Sequence, residues 1–345
     1  MSTEHSRQVA VIGGGNFGSC LALHLGRCGH QVTLWDRDPQ LTATLNQTRH
    51  HPQVLGSFEF PSNIQATSDV DQLPFDSLHS LVISVPTQFI RVTLERFRNK
   101  IRPGTYIVCA SKGIEQTTNI FPSTIIRECL GEEVASYKTT LSGPSFAIEV
   151  ARKLPTAVSI AAAERAHAVA VQKVFHAPCF RAYTSTDPLG LEICGALKNV
   201  MAIAAGASHG LGFEANSSAA LVTRALAEMT RIGLAMGAQE QTFRSLGGVG
   251  DLFLTCSSQK SRNFQVGYQI ARGASLADTL RDIGSVAEGV TTTPSAYTLA
   301  QELQVRAPVI SAVYDVLYNH KNVEEVLFQL LERDAGDEFT REVTS

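Results

Sequence analysis

Short apolar runs punctuate the first half of this chain: "VAVI" at 9–12, "QVTLW" at 31–35, "SLVISVP" at 80–86, "TYIVCA" at 105–110 and "FRAYTS" at 180–185. Runs of this length, bounded by Gly, Pro or polar clusters, predict strands of a largely buried sheet. Two further extended pieces are predicted on either side of "SGPSFA", residues 142–147. Between the first two strands "SCLALHLGR" has helical spacing and is closed by Gly29 and His30. Past residue 190 the strand signal fades. "SSAALVTRALAEMTRIGLAMG", "SLADTLRDI", "TTTPSAYTLAQEL", "APVISAVYDVLYN" and "NVEEVLFQLLER" then follow the helical period. The pattern predicts an α/β chain in two domains: a parallel-sheet domain over 1–190 and an all-helical domain over 191–345, with a cleft between them where a substrate can bind. The tail "DAGDEFTREVTS" is expected to fray.

The first strand runs into Gly13, Gly15 and Gly18, a G-x-G-x-x-G turn that opens a helix. The strand, turn, helix and second strand are the context in which such glycines seat a pyrophosphate at a helix N-terminus, so residues 1–190 are expected to form a Rossmann-type dinucleotide-binding domain. Asp36 follows the second strand, where an acid can bind a ribose 2′-hydroxyl, and Arg37 beside it can take a 2′-phosphate. The two point to different cofactors, so NAD and NADP both stay open. Pro86, Lys112 and the Gly143–Ser145 stretch lie beyond strand ends, the side of an open sheet where ligands bind.

A lysine and an asparagine, Lys198 and Asn199, interrupt the small apolar run "CGALKNVMAIAAG". An ammonium on such a helix needs polar partners. A lysine whose pKa is lowered by burial or a neighbouring cation can act as general base on an alcohol, with its ammonium as the acid in reverse. Asp251, after the glycines of "LGGVGDLFLTC", is expected to orient it from a loop, and Lys112 to depress its pKa. Arg262, with Asn263 and the "GPS" backbone, suits a phosphate.

Composition adds exclusions. The 345 residues are 44% hydrophobic and 18% charged, the profile of a folded globular protein. A net charge of -3 argues against a nucleic-acid partner. No run of about 18 apolar residues suggests a membrane span. The seven cysteines form no C-x-x-C pair, so reduced thiols, a cytoplasmic setting and no metal are expected.

The blocks "GGGNFGSCLALHL", "VPTQF", "SKGIE", "LSGPSFAIEVARKLPTAV", "GALKNVMAIAAGASHGLGFEANSSAALVTRALAEMTRIG", "GGVGDLFLTC", "SRNFQVG" and "EGVTT" resemble, in order, those of the bacterial NAD(P)-dependent glycerol-3-phosphate dehydrogenases. The resemblance implies the reversible reduction of dihydroxyacetone phosphate to sn-glycerol 3-phosphate by NAD(P)H, for glycerophospholipid synthesis. It implies Lys198 as the proton carrier, with Lys112 and Asp251 beside it. Its substrate contacts map onto Lys112, Gly143, Ser145, Lys198, Asn199, Asp251, Thr255, Ser261, Arg262 and Asn263. Its cofactor contacts map onto Asn16, Phe17, Arg37, Lys112, Ala147, Arg262, Val286 and Glu288. A cytoplasmic homodimer is also implied. Asp36 stands where many members carry an uncharged residue, which weakens the expected NADP preference. The rival readings are a 6-phosphogluconate or β-hydroxyacid type of dehydrogenase, and a dinucleotide sensor without catalysis.

Overall fold

The computed structural model describes residues 6–331, so the expected frayed tail lies outside the described residues. Eight strands form one sheet in the order β3-β2-β1-β4-β5-β6-β7-β8. They are β1 (Gln8–Ile12), β2 (Gln31–Trp35), β3 (Ile64–Thr67), β4 (Leu78–Ile83), β5 (Tyr106–Cys109), β6 (Lys138–Ser142), β7 (Thr156–Ala161) and β8 (Phe180–Ser185). The first six run parallel, and β7 joins β6 antiparallel with β8 parallel to it. Strand β3, "IQAT", carries no strong apolar run and was not legible in the sequence.

The continuous apolar character of β1 has a direct cause. Val9 and Val11 enter a core on one face of the sheet with Leu21 and Leu25, while Ala10 and Ile12 enter a core on the other face with Leu94 and Phe97. Period-two alternation disappears when both faces are covered. The covering helices are α1 (Asn16–Arg27), α2 (Pro39–Thr48), α3 (Ile90–Glu95), α4 (Pro122–Leu130), α5 (Glu132–Ala135), α6 (Ala147–Ala151) and α7 (Arg165–Phe175).

After β8 the described residues contain helices and turns only. These are α8 (Pro188–Gly210), α9 (Ala215–Ala235), α10 (Glu240–Phe243), α11 (Asp251–Ser257), α12 (Arg262–Ala271), α13 (Leu276–Ile283), α14 (Glu288–Glu302), α15 (Pro308–Tyr318) and α16 (Val323–Leu331). Helix α8 is the axis of a third core. Asp187 caps it, accepting from the Gly190 N–H at 2.9 Å, and Pro188 occupies the first turn. The other Asp187 oxygen accepts from the Gln239 N–H and the Thr242 hydroxyl, which pins α10 to the same cap. A Cβ on Gly206 would come within 1.9 Å of the Phe264 carbonyl oxygen, so α8 and α12 touch backbone to backbone.

By length and hydropathy α8 could span a bilayer, although no unbroken apolar run marks it in the sequence. In the fold 89% of its apolar window is buried against protein. It is a core helix.

Three buried histidines couple stability to pH. Burial pushes the imidazoles of His24, His30 and His51 below their ordinary value of 6.5, since each sits inside the fold as a neutral ring. As pH falls through 6.5 the unfolded chain takes up protons that the native state refuses. Their stabilisation is therefore complete above that value and is lost below it. Glu288, pushed up by burial to about 7, works in the opposite sense but is a single group. Denaturant midpoints are expected to be level between about pH 7 and pH 8, below the point where buried Lys198 loses its proton, and to fall steadily toward about pH 5. A midpoint that holds or rises over that interval would contradict this assignment.

Candidate active site

Three elements bring a carboxylate between two lysines. Lys112 lies just past β5, Lys198 is in α8, and Asp251 is the first residue of α11. Asp251 Oδ1 is 3.0 Å from Lys198 Nζ, and Oδ2 is 2.8 Å from Lys112 Nζ. Ser142, the last residue of β6, donates its hydroxyl to Oδ2 at 3.3 Å. Lys198 Nζ also donates to Thr255 Oγ1 at 2.8 Å, and the Thr255 hydroxyl hydrogen goes to the Asp251 carbonyl at 2.6 Å. Two of the three Lys198 ammonium hydrogens are thus engaged, and one remains for another oxygen.

Asp251 stands in a helix rather than in the expected loop. A wide π-type turn, Leu246–Gly250, delivers it there. A Cβ on Gly248 in that turn would lie 2.3 Å from the Phe243 carbonyl oxygen, which is why the "GGVG" spacing is needed.

Burial sets the electrostatics. The Lys198 side chain is 8% exposed and that of Asp251 3%. Desolvation pulls the Lys198 ammonium down to about 8; Asp251 opposes that shift and Lys112 adds to it. Burial alone would raise the Asp251 carboxyl, but the two lysines outweigh it and hold it below the ordinary aspartate range.

A second set of polar contacts ties the cleft walls together. The Asn199 amide donates to the carbonyls of Lys112 and Gly195, at 3.4 and 3.3 Å. Its oxygen accepts from Asn263 Nδ2 at 3.0 Å, and Asn263 Oδ1 accepts from the Gly289 N–H at 2.9 Å. Neighbouring Glu288 accepts from the Thr87 N–H at 3.1 Å, which brings the loop after β4 to the head of α14. Ser261 caps α12 through its hydroxyl oxygen, which accepts from the Phe264 N–H. Arg262 follows at the first position of that helix, and its guanidinium has no hydrogen-bond or ion-pair partner among the described residues. Three residues past Ser142, the Ser145 hydroxyl donates to the Gly143 carbonyl at 2.9 Å.

The glycine turn fits a dinucleotide. Gly13 has φ +107°, and a Cβ there would strike the Ser84 carbonyl. A Cβ on Gly18 would lie 1.9 Å from the Gly13 oxygen, so α1 leaves the sheet only because both are glycine. The space in front of Gly15 is open, and α1 has no side-chain cap, so its first N–H groups are available to an anion. Asn16 is exposed there and Phe17 half-buried, with Lys112 Nζ 5.9 Å above the Phe17 ring. Ala147 opens α6 and its carbonyl accepts from the Cys20 thiol on α1. Arg37 is exposed and stacks 5.6 Å over Phe89 beyond Pro86. Asp36 turns inward: its oxygens accept from the Gly14 N–H at 2.6 Å and the Asp38 N–H at 3.0 Å. Val286 is 40% exposed before α14.

With this geometry, two family descriptions match the chain in series. The N-terminal part of the NAD-dependent glycerol-3-phosphate dehydrogenases matches residues 8–168, and their C-terminal part matches residues 187–328. The chain belongs to the NAD-dependent glycerol-3-phosphate dehydrogenase family. It is 44% identical over 329 residues to the glycerol-3-phosphate dehydrogenase [NAD(P)+] of Geobacter sulfurreducens, covering 95% of this chain and 98% of that one. Its likeness to the enzyme of the same description from Desulfovibrio desulfuricans is also 44%, over 96% and 98% of the two chains. The crystal structure of glycerol-3-phosphate dehydrogenase from Coxiella burnetii superimposes with a TM-score of 0.90 at 31% identity, covering 95% of this chain and 99% of that one.

Two members of the site have no role that their sequence positions reveal. Ser142 ends β6 and Thr87 follows β4 by four residues, and only tertiary packing brings the Ser142 hydroxyl to Asp251 and the Thr87 backbone N–H to Glu288. Burial leaves the Thr87 and Thr292 hydroxyls and Glu288 Oε2 without partners, all close to Gly113.

Proposed function

We propose that the protein is an NAD(P)-dependent glycerol-3-phosphate dehydrogenase in which Lys198 carries the proton and Asp251 sets its charge. The observation that supports these roles most directly is the buried Lys112–Asp251–Lys198 triad. The bound nicotinamide supplies the hydride in one direction and accepts it in the other. In reduction the free Lys198 N–H donates to the ketone oxygen and then yields its proton to the forming alkoxide. In oxidation the neutral amine takes the hydroxyl proton. A lysine near pKa 8 does both at little cost close to neutrality. Asp251 and Thr255 fix its direction. Lys112 reaches the same carboxylate from the sheet side and is the proposed contact to both cofactor and substrate.

Arg262 is the proposed phosphate anchor, with Ser261, Asn263 and the Gly143 and Ser145 segment around the substrate. A guanidinium at a helix N-terminus that makes no hydrogen bond among the described residues, with Glu288 the carboxyl acting on it, suits an anion. Asn199 and Asn263 already share one hydrogen bond with each other, so they also hold the pocket's shape. Arg262→Ala is expected to raise KM for dihydroxyacetone phosphate by about 100-fold or more, with little change toward dihydroxyacetone itself. Equal losses on both ketones would place the arginine elsewhere.

The glycine turn, Asn16, Phe17, Arg37, Pro86, Ala147, Val286 and Glu288 are the proposed dinucleotide contacts. Both cofactor forms are expected to serve. Arg37 offers its guanidinium to a 2′-phosphate, while Asp36, whose oxygens also brace the turn, keeps acceptor sites for a free 2′-hydroxyl. Arg37→Ala is expected to move the kcat/KM ratio toward NADH by about 10-fold. An unchanged ratio would mean that Arg37 stays in solvent. Family membership further supports a cytoplasmic homodimer that makes glycerol phosphate for phospholipids, with residues 1–190 holding the dinucleotide and 191–345 the substrate. Sedimentation of the purified protein tests the dimer, and the steady-state reduction of dihydroxyacetone phosphate tests the activity.

A further inference from the structure

The peptide joining Gly14 to Gly15 is held from outside the glycine motif. The Gly14 carbonyl accepts from the Ser19 hydroxyl at 2.8 Å and lies 2.8 Å from Nε2 of His51, a residue 37 positions along the chain. His51 is 2% exposed. Its Nδ1 faces two backbone donors, the N–H groups of Gln53 and Val54, both at 3.1 Å. Nδ1 therefore accepts, the hydrogen is on Nε2, and Nε2 donates to Gly14. No other tautomer satisfies all three contacts.

This bond has a geometric consequence for the ligand. A trans peptide is planar, so its carbonyl and the following N–H point in opposite directions. Drawing the Gly14 oxygen toward Ser19 and His51 turns the Gly15 N–H the other way, to the open side of the turn where a Cβ on Gly15 would meet nothing. That N–H is one of the donors a phosphate would find at the head of α1.

We propose that His51 is a positioning residue for the dinucleotide, holding the Gly14–Gly15 peptide in the orientation that presents its N–H to the pyrophosphate. The inference rests on reading this turn as the dinucleotide seat. It also makes binding sensitive to acid. A proton on Nδ1 would face the Gln53 and Val54 donors, so the imidazolium cannot keep its place. Asp36, facing the ring from the end of β2, favours the charged form, and burial disfavours it more strongly. Gly14, Ser19, Gln53 and Val54 present only neutral groups to it.

Two substitutions separate the two ends of the ring. Gln in place of His51 can still donate to the Gly14 carbonyl but offers no acceptor at Nδ1. Asn keeps an acceptor near Nδ1 and cannot reach Gly14. Binding of NADH and of NADPH to the purified wild type and both variants is measured by cofactor fluorescence between about pH 5 and pH 8. His51→Asn is expected to weaken both cofactors by about 10-fold at pH 7.5, and His51→Gln by about threefold or less. At saturating cofactor, kcat and the KM for dihydroxyacetone phosphate should stay within about twofold of wild type. Wild-type affinity should fall on the acid side, and that fall should flatten in His51→Gln. Wild-type affinity in His51→Asn would overturn the proposal, and so would an acid limb unchanged in His51→Gln. If His51→Asn does not fold, the pH profile of His51→Gln alone decides. A wild type that binds no dinucleotide would instead refute the reading of the turn itself.

Discussion

Lys198→Ala is expected to lower kcat for dihydroxyacetone phosphate reduction by about 100-fold or more, with the affinity for NADH and NADPH close to wild type. The loss should read as chemistry rather than collapse, because Asp251 keeps Lys112 at 2.8 Å and the Ser142 hydroxyl, and so is not left as a bare buried charge. The pH dependence of the wild type gives an independent check. Reduction uses the ammonium, so its kcat/KM should fall as pH rises through about 8. Oxidation uses the neutral amine, so its kcat/KM should rise through the same value. Rapid-reaction measurement of the hydride step over pH 6.5 to 9.5 would show both limbs, at about the stated pH. A variant with near-normal kcat, or limbs that survive in Lys198→Ala, would remove Lys198 from the chemistry.

The companion prediction concerns the carboxylate that both lysines share. Asp251→Asn takes one negative charge from between two ammonium groups whose side chains are 8% and 16% exposed. Breaking a buried ion pair by removing one partner typically costs about 3–5 kcal/mol, because the remaining charge is left uncompensated. Part of that cost is avoidable here, since Lys198 can shed its proton. Asp251 is one of the influences that hold the Lys198 pKa up, so without it the value should fall well below the wild-type 8 or so. Two results follow. The stability deficit of Asp251→Asn, measured by denaturant, should be largest near pH 6 and should shrink above about pH 8, where wild-type Lys198 is neutral too. The acid limb of glycerol 3-phosphate oxidation should also move to lower pH in the variant. An Asn variant with wild-type stability at pH 6, or with an unmoved limb, would mean that Asp251 is not the countercharge of Lys198.

The sequence by itself determined the kind of molecule and most of the residues brought into contact. It did so wherever the physical requirement is local. A tight turn needs φ > 0 at Gly13, a helix packed against it needs no Cβ at Gly18, and a strand covered on both faces must be apolar at every position, as β1 is. Asp187 and Pro188 start α8 by the same local logic, because caps and first-turn prolines act over a few residues. Lys198 stood out because a charge in an apolar run demands a partner.

What only the tertiary structure decided are contacts between residues far apart in sequence, where no spacing rule applies. Lys112, Ser142, Lys198 and Asp251 meet because the ends of β5 and β6, the middle of α8 and the head of α11 converge on one point. Asp36 follows the second strand as an acid that can bind a ribose, and only the packed end of β2 shows its oxygens also accepting from the Gly14 and Asp38 N–H groups. Asp251 read as a loop residue, because a π-type turn built on glycines looks like a loop until Gly248 is seen pressed against Phe243. His51 had no signature at all. His51 acquires its tautomer and its partner only from burial against a turn formed 37 residues earlier, and burial is a property of the packed chain.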